Sequence, residues 1–284
     1  MLTRGADSAT KLAVENPHPR DGRVVFDEGP HVYYVDGERM PESVTGVIAG
    51  VETEHFDADA VAASLAARPS AAYNAGQAED GSLLPLDAET IKAQWTRDSA
   101  LGTSLHGALE RHLNGLPVDT EALAEQGNLE AFRQVLAWLD EKLKQGYRPY
   151  RTEWVIFDEK AGVAGSVDFV ARHEATGKLL VVDWKRCKHG TPRFFSHWRG
   201  ARMRAPMDHL SECKLSHWRT QVNLYRVILE DLYGFDVEDM YMVVGYPGQA
   251  CAAEYKHVRD DAVKALLQAR RHAREAAATV VAPP

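Results

Sequence analysis

The chain predicts a mixed α/β fold, an α+β arrangement in which helices flank a central mixed β-sheet, with a small sheet and a helical segment at the N-terminal end. Three observations carry this expectation. Two apolar runs, 167–171 and 179–182, flank the turn-like segment 173–178, the pattern of a β-hairpin with a longer loop. Apolar residues recur at helical spacing before and after that hairpin, at Ile91, Trp95, Leu101, Leu105, Leu109 and Leu113 and again over 216–233. A final apolar strand is expected at 240–245.

In chain order, residues 1–22 are polar and punctuated by Pro and Gly, so they are expected to be poorly ordered. Short strands follow at 23–26 and 31–35, with Asp36-Gly37 as a turn before 38–40. Ser43 or Thr45 can cap a short helix whose free N–H groups would hold a phosphate. An ordinary cap is the simpler reading. A helix is expected at 56–67, and then a Pro, Gly, Ser and Ala-rich insertion at 68–84. Asp87 is placed to cap the next helix, which Asn114-Gly115-Leu116-Pro117 stops and Gly102 can bend. His106 and Glu110 share a face apart from the leucine row. A helix at 129–145 leads into a meander of a strand at 150–157, a turn at 158–162 and the hairpin. The region 186–210 is irregular, Gly234 ends the 216–233 helix, and 260–277 is helical before a frayed tail at 278–284. Residues 23–277 thus read as one domain, with mobile insertions near 68–84 and 186–210.

Composition narrows the possible functions. A length of 284 residues with 45% hydrophobic content is enough for a full core. No run approaches the roughly 18 apolar residues of a membrane helix, and the first residues lack a signal peptide's apolar stretch. Membrane partners and secretion are not expected. Cys187, Cys213 and Cys251 are odd in number and contain no CxxC pair, which points to an intracellular, reducing compartment such as cytoplasm or nucleus. A net charge of −8 gives no overall attraction to nucleic acid, so any such binding needs a local basic patch.

The hairpin carries the chemistry. Asp168 lies inside its first strand and Asp183 ends the second, with Lys185 on the same strand face as Asp183. A carboxylate in a half-buried strand needs a partner or a metal, because desolvating it unpaired costs several kcal/mol or more. Asp168 and Asp183 can hold one or two Mg²⁺ or Mn²⁺ ions, with the backbone carbonyl of Trp184 as a further oxygen ligand. Lys185 can then orient or deprotonate water, or stabilise developing charge, in phosphodiester hydrolysis. A strand-end salt bridge of either acid with Lys185 fits the same residues.

Five pieces in order resemble the PD-(D/E)xK nuclease superfamily, in its RecB-like and lambda-exonuclease-like branch. They are Gly102-Thr103-Ser104-Leu105-His106, Glu153 on a strand, Gly165-Ser166-Val167-Asp168, Val182-Asp183-Trp184-Lys185, and Gln221-Val222-Asn223-Leu224-Tyr225. The resemblance covers most of the chain, from Ser43 to about Gly248, and implies a restriction-endonuclease-like core. It assigns metal binding to His106, Asp168 and Asp183, catalysis to Lys185, and support of the site or the DNA to Gln221 and Tyr225. Glu153 falls at the site as a further acid, and Thr103 lies beside the histidine as a DNA contact. Val167 stands where the family name has proline. Relatives with an iron–sulfur cluster need four cysteines, so no cluster is expected here, and no nucleotide cofactor either.

Between Asp183 and Asp208 there is no acid, while Lys185, Arg186, Lys188, Arg193, Arg199, Arg202 and Arg204 are basic and Trp198 is interleaved with them. That mixture suits phosphate contacts with base stacking on a single strand. A solvated loop with docked aromatics is the plainer reading. The expected function is a metal-dependent DNA nuclease, an exonuclease on DNA ends or single strands that leaves 5′-phosphates, with a helicase or recombination protein as a possible partner. A structure-specific endonuclease and a catalytically silent DNA-binding protein are the alternatives. No residue marks an oligomer interface.

Overall fold

The computed structural model describes residues 3–4, 10–53, 57–67, 75–77, 83–187 and 200–281. Its centre is strand β9 (Val163–His173), which runs antiparallel to β8 (Tyr147–Asp158) along one edge. Two strands share its other edge. The short β5 (Glu42–Ser43) pairs in parallel at Val163 and Ala164, and β10 (Leu179–Lys185) pairs antiparallel from Phe169 to Arg172. The stretch 165–168 lies between those two pairings. Beyond β10 the sheet continues with β11 (Val237–Val244), parallel to β10, and closes with the antiparallel β12 (Ala253–Lys256). The sheet is therefore mixed, as expected. Parallel neighbours need a crossover, and helix α7 (Lys214–Tyr233) lies in the β10 to β11 connection.

Burial explains why β10 reads as an apolar run. Leu179 to Trp184 are all buried because helices cover both faces of the sheet, which removes the alternation of a half-exposed strand. On one face Val181, Met240, Val222, Tyr225 and Ile228 join one cluster with α2 (Val44–Ala49) and α8 (Ala262–Val281). On the other, Val182, Phe169 and Trp184 pack with Leu105 and Leu109 of α4 (Ala88–Leu113) and Val135 and Trp138 of α6 (Leu129–Lys144). Asp87 caps α4 by accepting the Thr90 N–H at 2.7 Å, and the helix passes Gly102 without interruption. Gly234, left-handed at φ 74°, ends α7.

The N-terminal sheet comprises β1 (Thr3–Arg4), β2 (Val24–Asp27), β3 (Val32–Val35) and β4 (Glu38–Arg39), all antiparallel. Several expectations need correction. Residues 10–22 are not poorly ordered: α1 (Lys11–Glu15) buries Leu12, and Asp21 receives Arg151 at 2.7 Å and the Trp154 indole N–H at 3.0 Å. Polar composition concealed anchors whose partners lie far along the chain. The tail from 278 is helical to Val281, at the end of α8, whose Arg271 lies 2.7 Å from the buried Asp158. Within 68–84, β6 (Ala75–Gln77) pairs with β7 (Leu83–Pro85), and the rest of that insertion lies outside the described residues. Helices α3 (Ala58–Ala66) and α5 (Thr120–Glu125) complete the set; α5, β5 and β12 are too short to show a period in sequence. Among the described residues no helix is long and apolar enough to cross a membrane.

The stretch 165–168 of β9, paired with β8 on one edge only, is tightly covered. A Cβ on Gly165 would come within 2.9 Å of Val44 Cγ2 and 3.0 Å of Tyr225 Cε1, so α2 and α7 both press on the strand there. Gly165→Ala is expected to destabilise the protein by about 1–3 kcal/mol through overpacking. Urea denaturation measures this; an unchanged midpoint would contradict the close approach.

Candidate metal centre

Strand register brings three acids into one row. The pairs Thr152 with Phe169 and Trp154 with Val167 bracket Glu153 opposite Asp168, and Val182 opposite Phe169 sets Asp183 next to Asp168 on the other side. At this row the backbone ladder gives way to side chains: the Trp184 N–H donates to Asp168 Oδ2 at 2.9 Å. Glu153 itself sits at φ +43°, a left-handed conformation that costs a residue with a side chain on the order of 1–3 kcal/mol. Ser166 Oγ, two residues before Asp168, donates to Glu153 Oε2 at 2.9 Å and fixes the carboxylate.

Helix α4 supplies a fourth group. His106 Nε2 lies 3.0 Å from the carbonyl oxygen of Trp184, which can only accept, so Nε2 carries the proton. Nδ1 then faces Asp168 Oδ2 at 3.6 Å and Glu153 Oε1 at 4.0 Å. In the neutral ring that nitrogen offers a lone pair to two carboxylates. The contact is repulsive unless a cation or a proton lies between them. Ligand atoms of His106, Glu153 and Asp168 all fall within 4.8 Å of one another, and two carboxylates with an imidazole suit a divalent cation such as Mg²⁺ or Mn²⁺. The residues thus fit a divalent ion, with Glu153 in the group where the motifs imply Asp183, whose carboxylate is paired with Lys185. The Trp184 carbonyl, expected as a ligand, serves here to orient the histidine.

Asp183 and Lys185 form the other half of the row. Lys185 Nζ donates to Asp183 Oδ1 at 2.8 Å, while the buried Asp183 Oδ2 has no hydrogen-bond donor although the ammonium is within ion-pair distance. Burial pushes the Asp183 carboxyl up, with Asp168 adding and Lys185 opposing. Burial draws Lys185 down, but Asp183, Asp168 and Glu153 more than reverse it, so its pKa is raised and it stays protonated. Burial, with Asp168 second, lifts Glu153 to about 7. Tyr33 of β3 is pushed up to about 12 by burial first and then by the charge of Glu153.

The remaining candidates divide. Gln221 Nε2 donates to the Tyr225 hydroxyl at 3.1 Å, and Tyr225 is raised well above its ordinary value by burial first, with Asp168 and Asp183 adding to it. Ser43 Oγ accepts the Gly46 N–H at 3.0 Å and meets Thr45 Oγ1 at 2.9 Å, an ordinary cap on a six-residue helix. Thr103 is exposed one turn before His106 and donates to the Ser99 carbonyl at 3.2 Å. Arg186 turns into the protein, to Asn128 at 2.7 Å and Asp98 at 3.4 Å, with its side chain 7% exposed. Arg202 donates to the Asp208 and His209 carbonyls, and Arg204 lies on the turn after α2. Lys188, Arg193, Trp198 and Arg199 lie outside the described residues. Sequence reasoning gave no role to Ser166, which strand alternation could have placed on the Asp168 face, or to Tyr33, whose long-range approach leaves no local signal.

The Glu153 shift has a consequence for stability. Its folded pKa of about 7 exceeds the ordinary value of 4.5, so the folded protein holds this proton more tightly, and that stabilisation fades as pH rises through 7. With a chelator present, Glu153→Gln is expected to be more stable than wild type at pH 8 by about 1–3 kcal/mol, a gap that closes towards pH 5. Thermal melts across pH measure it; equal stability at pH 8 would contradict the crowding of charge.

No family model matches the chain, and no curated protein matches it. Among solved structures it is similar to one described as the crystal structure of SSO0001, at 16% identity, covering 60% of this chain and 83% of that one with a TM-score of 0.24. Likeness at that level carries no argument about fold or function.

Proposed function

We propose that the protein is a divalent-metal-dependent DNA nuclease of the PD-(D/E)xK kind, acting as an exonuclease on DNA ends or single strands. The observation that carries this reading is the convergence of His106, Glu153 and Asp168 on a row that continues into the Asp183–Lys185 pair. The sequence motifs that resemble the superfamily supply these same five residues, from one helix and three strands. A divalent ion bound there would neutralise a phosphodiester oxygen and acidify an attacking water. The chain's own groups divide the remaining work. Lys185, kept protonated by its carboxylate neighbours, offers positive charge to the phosphate as negative charge develops on it. Glu153, fixed by the Ser166 hydroxyl, would hold the ion together with His106 and Asp168. Asp183 holds the lysine, and Gln221 with Tyr225 closes the α7 side. The products on this reading are a 5′-phosphate and a 3′-hydroxyl. Cys187, Cys213 and Cys251 as free thiols agree with a reducing, intracellular setting.

The test is hydrolysis of end-labelled linear and of circular DNA with Mg²⁺ or Mn²⁺. Wild type is expected to degrade the linear substrate and spare the circle, with Asp183→Ala and Lys185→Ala each at least about 10²–10³-fold slower. Equal rates for wild type and Asp183→Ala, or no cleavage by wild type, would overturn the nuclease reading. Cutting of circles would replace the exonuclease with an endonuclease.

A further inference from the structure

Helix α7 carries functional side chains past the residues already described. His217, Gln221 and Tyr225 follow at four-residue spacing and so stand on one face of the helix, rising about 6 Å per step from Tyr225 beside the acids. Trp218, on the same turn as His217, places its ring 5.8 Å from Lys185 Nζ. The face that closes the metal centre therefore extends outward along the helix.

His217 is held by a carboxylate from another element. Its Nδ1 lies 2.8 Å from Glu52 Oε1, in the turn after α2, with both side chains 28% exposed. Glu52 is an acceptor, so Nδ1 is the donor, and a second proton on Nε2 makes the ring an imidazolium able to donate to an anionic oxygen. Arg204 leans on the same turn: its backbone N–H donates to Val51 O at 2.6 Å and a guanidinium nitrogen lies 3.4 Å from Gly50 O, with the residue exposed. The nearby acid Glu212 is engaged by Thr53, through the backbone N–H at 2.8 Å and through the hydroxyl. An imidazole ring and a guanidinium are thus fixed to one turn at the outer end of the α7 face, in a protein of net charge −8.

We infer that His217, oriented by Glu52, and Arg204 form a phosphate subsite for the nucleic-acid strand, beyond the phosphate at the metal centre. The inference rests on the nuclease reading for its ligand class, a backbone phosphodiester. A pinned imidazole carrying both ring protons and a guanidinium bind phosphate oxygens as hydrogen-bonding cations, without reading sequence. The plainer role, a tie between α2 and α7, makes a different prediction.

The experiment measures affinity of the full chain for a fluorescent single-stranded oligonucleotide against salt concentration, with EDTA to prevent turnover, at pH 6.5. Arg204→Ala is expected to weaken binding about 3–10-fold at 0.1 M salt and to lower the slope of log affinity against log salt by about 0.7, and His217→Asn to weaken binding by a similar factor with a smaller fall in slope. Melting points within a degree or two of wild type are expected alongside. An unchanged slope in both variants overturns the subsite, as does a loss of affinity that appears only with a fall in melting point. Failure of wild type to bind the oligonucleotide also overturns it. Cleavage assays separate the two claims: a His217-dependent slope in a wild type that cuts no DNA keeps the subsite and removes the nuclease, whereas metal-dependent cutting with a His217-independent slope does the reverse.

Discussion

Three carboxylates in one row across adjacent strands are the constraint to which the rest of this structure answers. Like charges at that spacing raise one another's cost of ionisation, and burial raises it further. The protein meets part of the cost internally, through Lys185 on Asp183, the Trp184 N–H on Asp168 and Ser166 on Glu153. What is left is the space between Glu153, Asp168 and His106 Nδ1, where only a proton or a cation reconciles the neighbours. Glu153 shows the imbalance, held in a left-handed conformation and shifted to about 7. An arrangement kept at such cost for packing alone would be better replaced by apolar side chains.

The topology makes this row possible. Because β5 and β10 divide one edge of β9, the stretch 165–168 is released from pairing on that edge, and Asp168 can turn its carboxylate to the next strand's N–H. Gly165 lets α2 and α7 close over the same stretch. Helix α4 belongs to the opposite face by its leucines, yet His106 reaches the row because Trp184, on that face, offers its carbonyl. Each face of the sheet thus contributes one side of the centre.

Much of this was readable in the residues. The meander, Asp87 as a cap, Gly234 as a helix end and the acids of the hairpin all depend on local chemistry that period and turn residues express. The row itself was less so. Glu153 could be placed on a strand, but its alignment with Asp168 depends on strand register, and its backbone conformation on the tertiary frame. Residues 10–22 misled because their order comes from Arg151 and Trp154, more than a hundred positions away. Arg186 read as part of a basic run, and the fold spends it on Asn128 and Asp98.

The central claim is that His106, Glu153 and Asp168 hold a divalent cation. Calorimetric titration of the chelator-stripped protein with Mn²⁺ tests it without any reference to turnover. The account predicts saturable binding that Asp168→Ala abolishes and His106→Ala weakens, with the fold of both variants intact by circular dichroism. Absence of binding by the wild type, or the same affinity in Asp168→Ala, would contradict it.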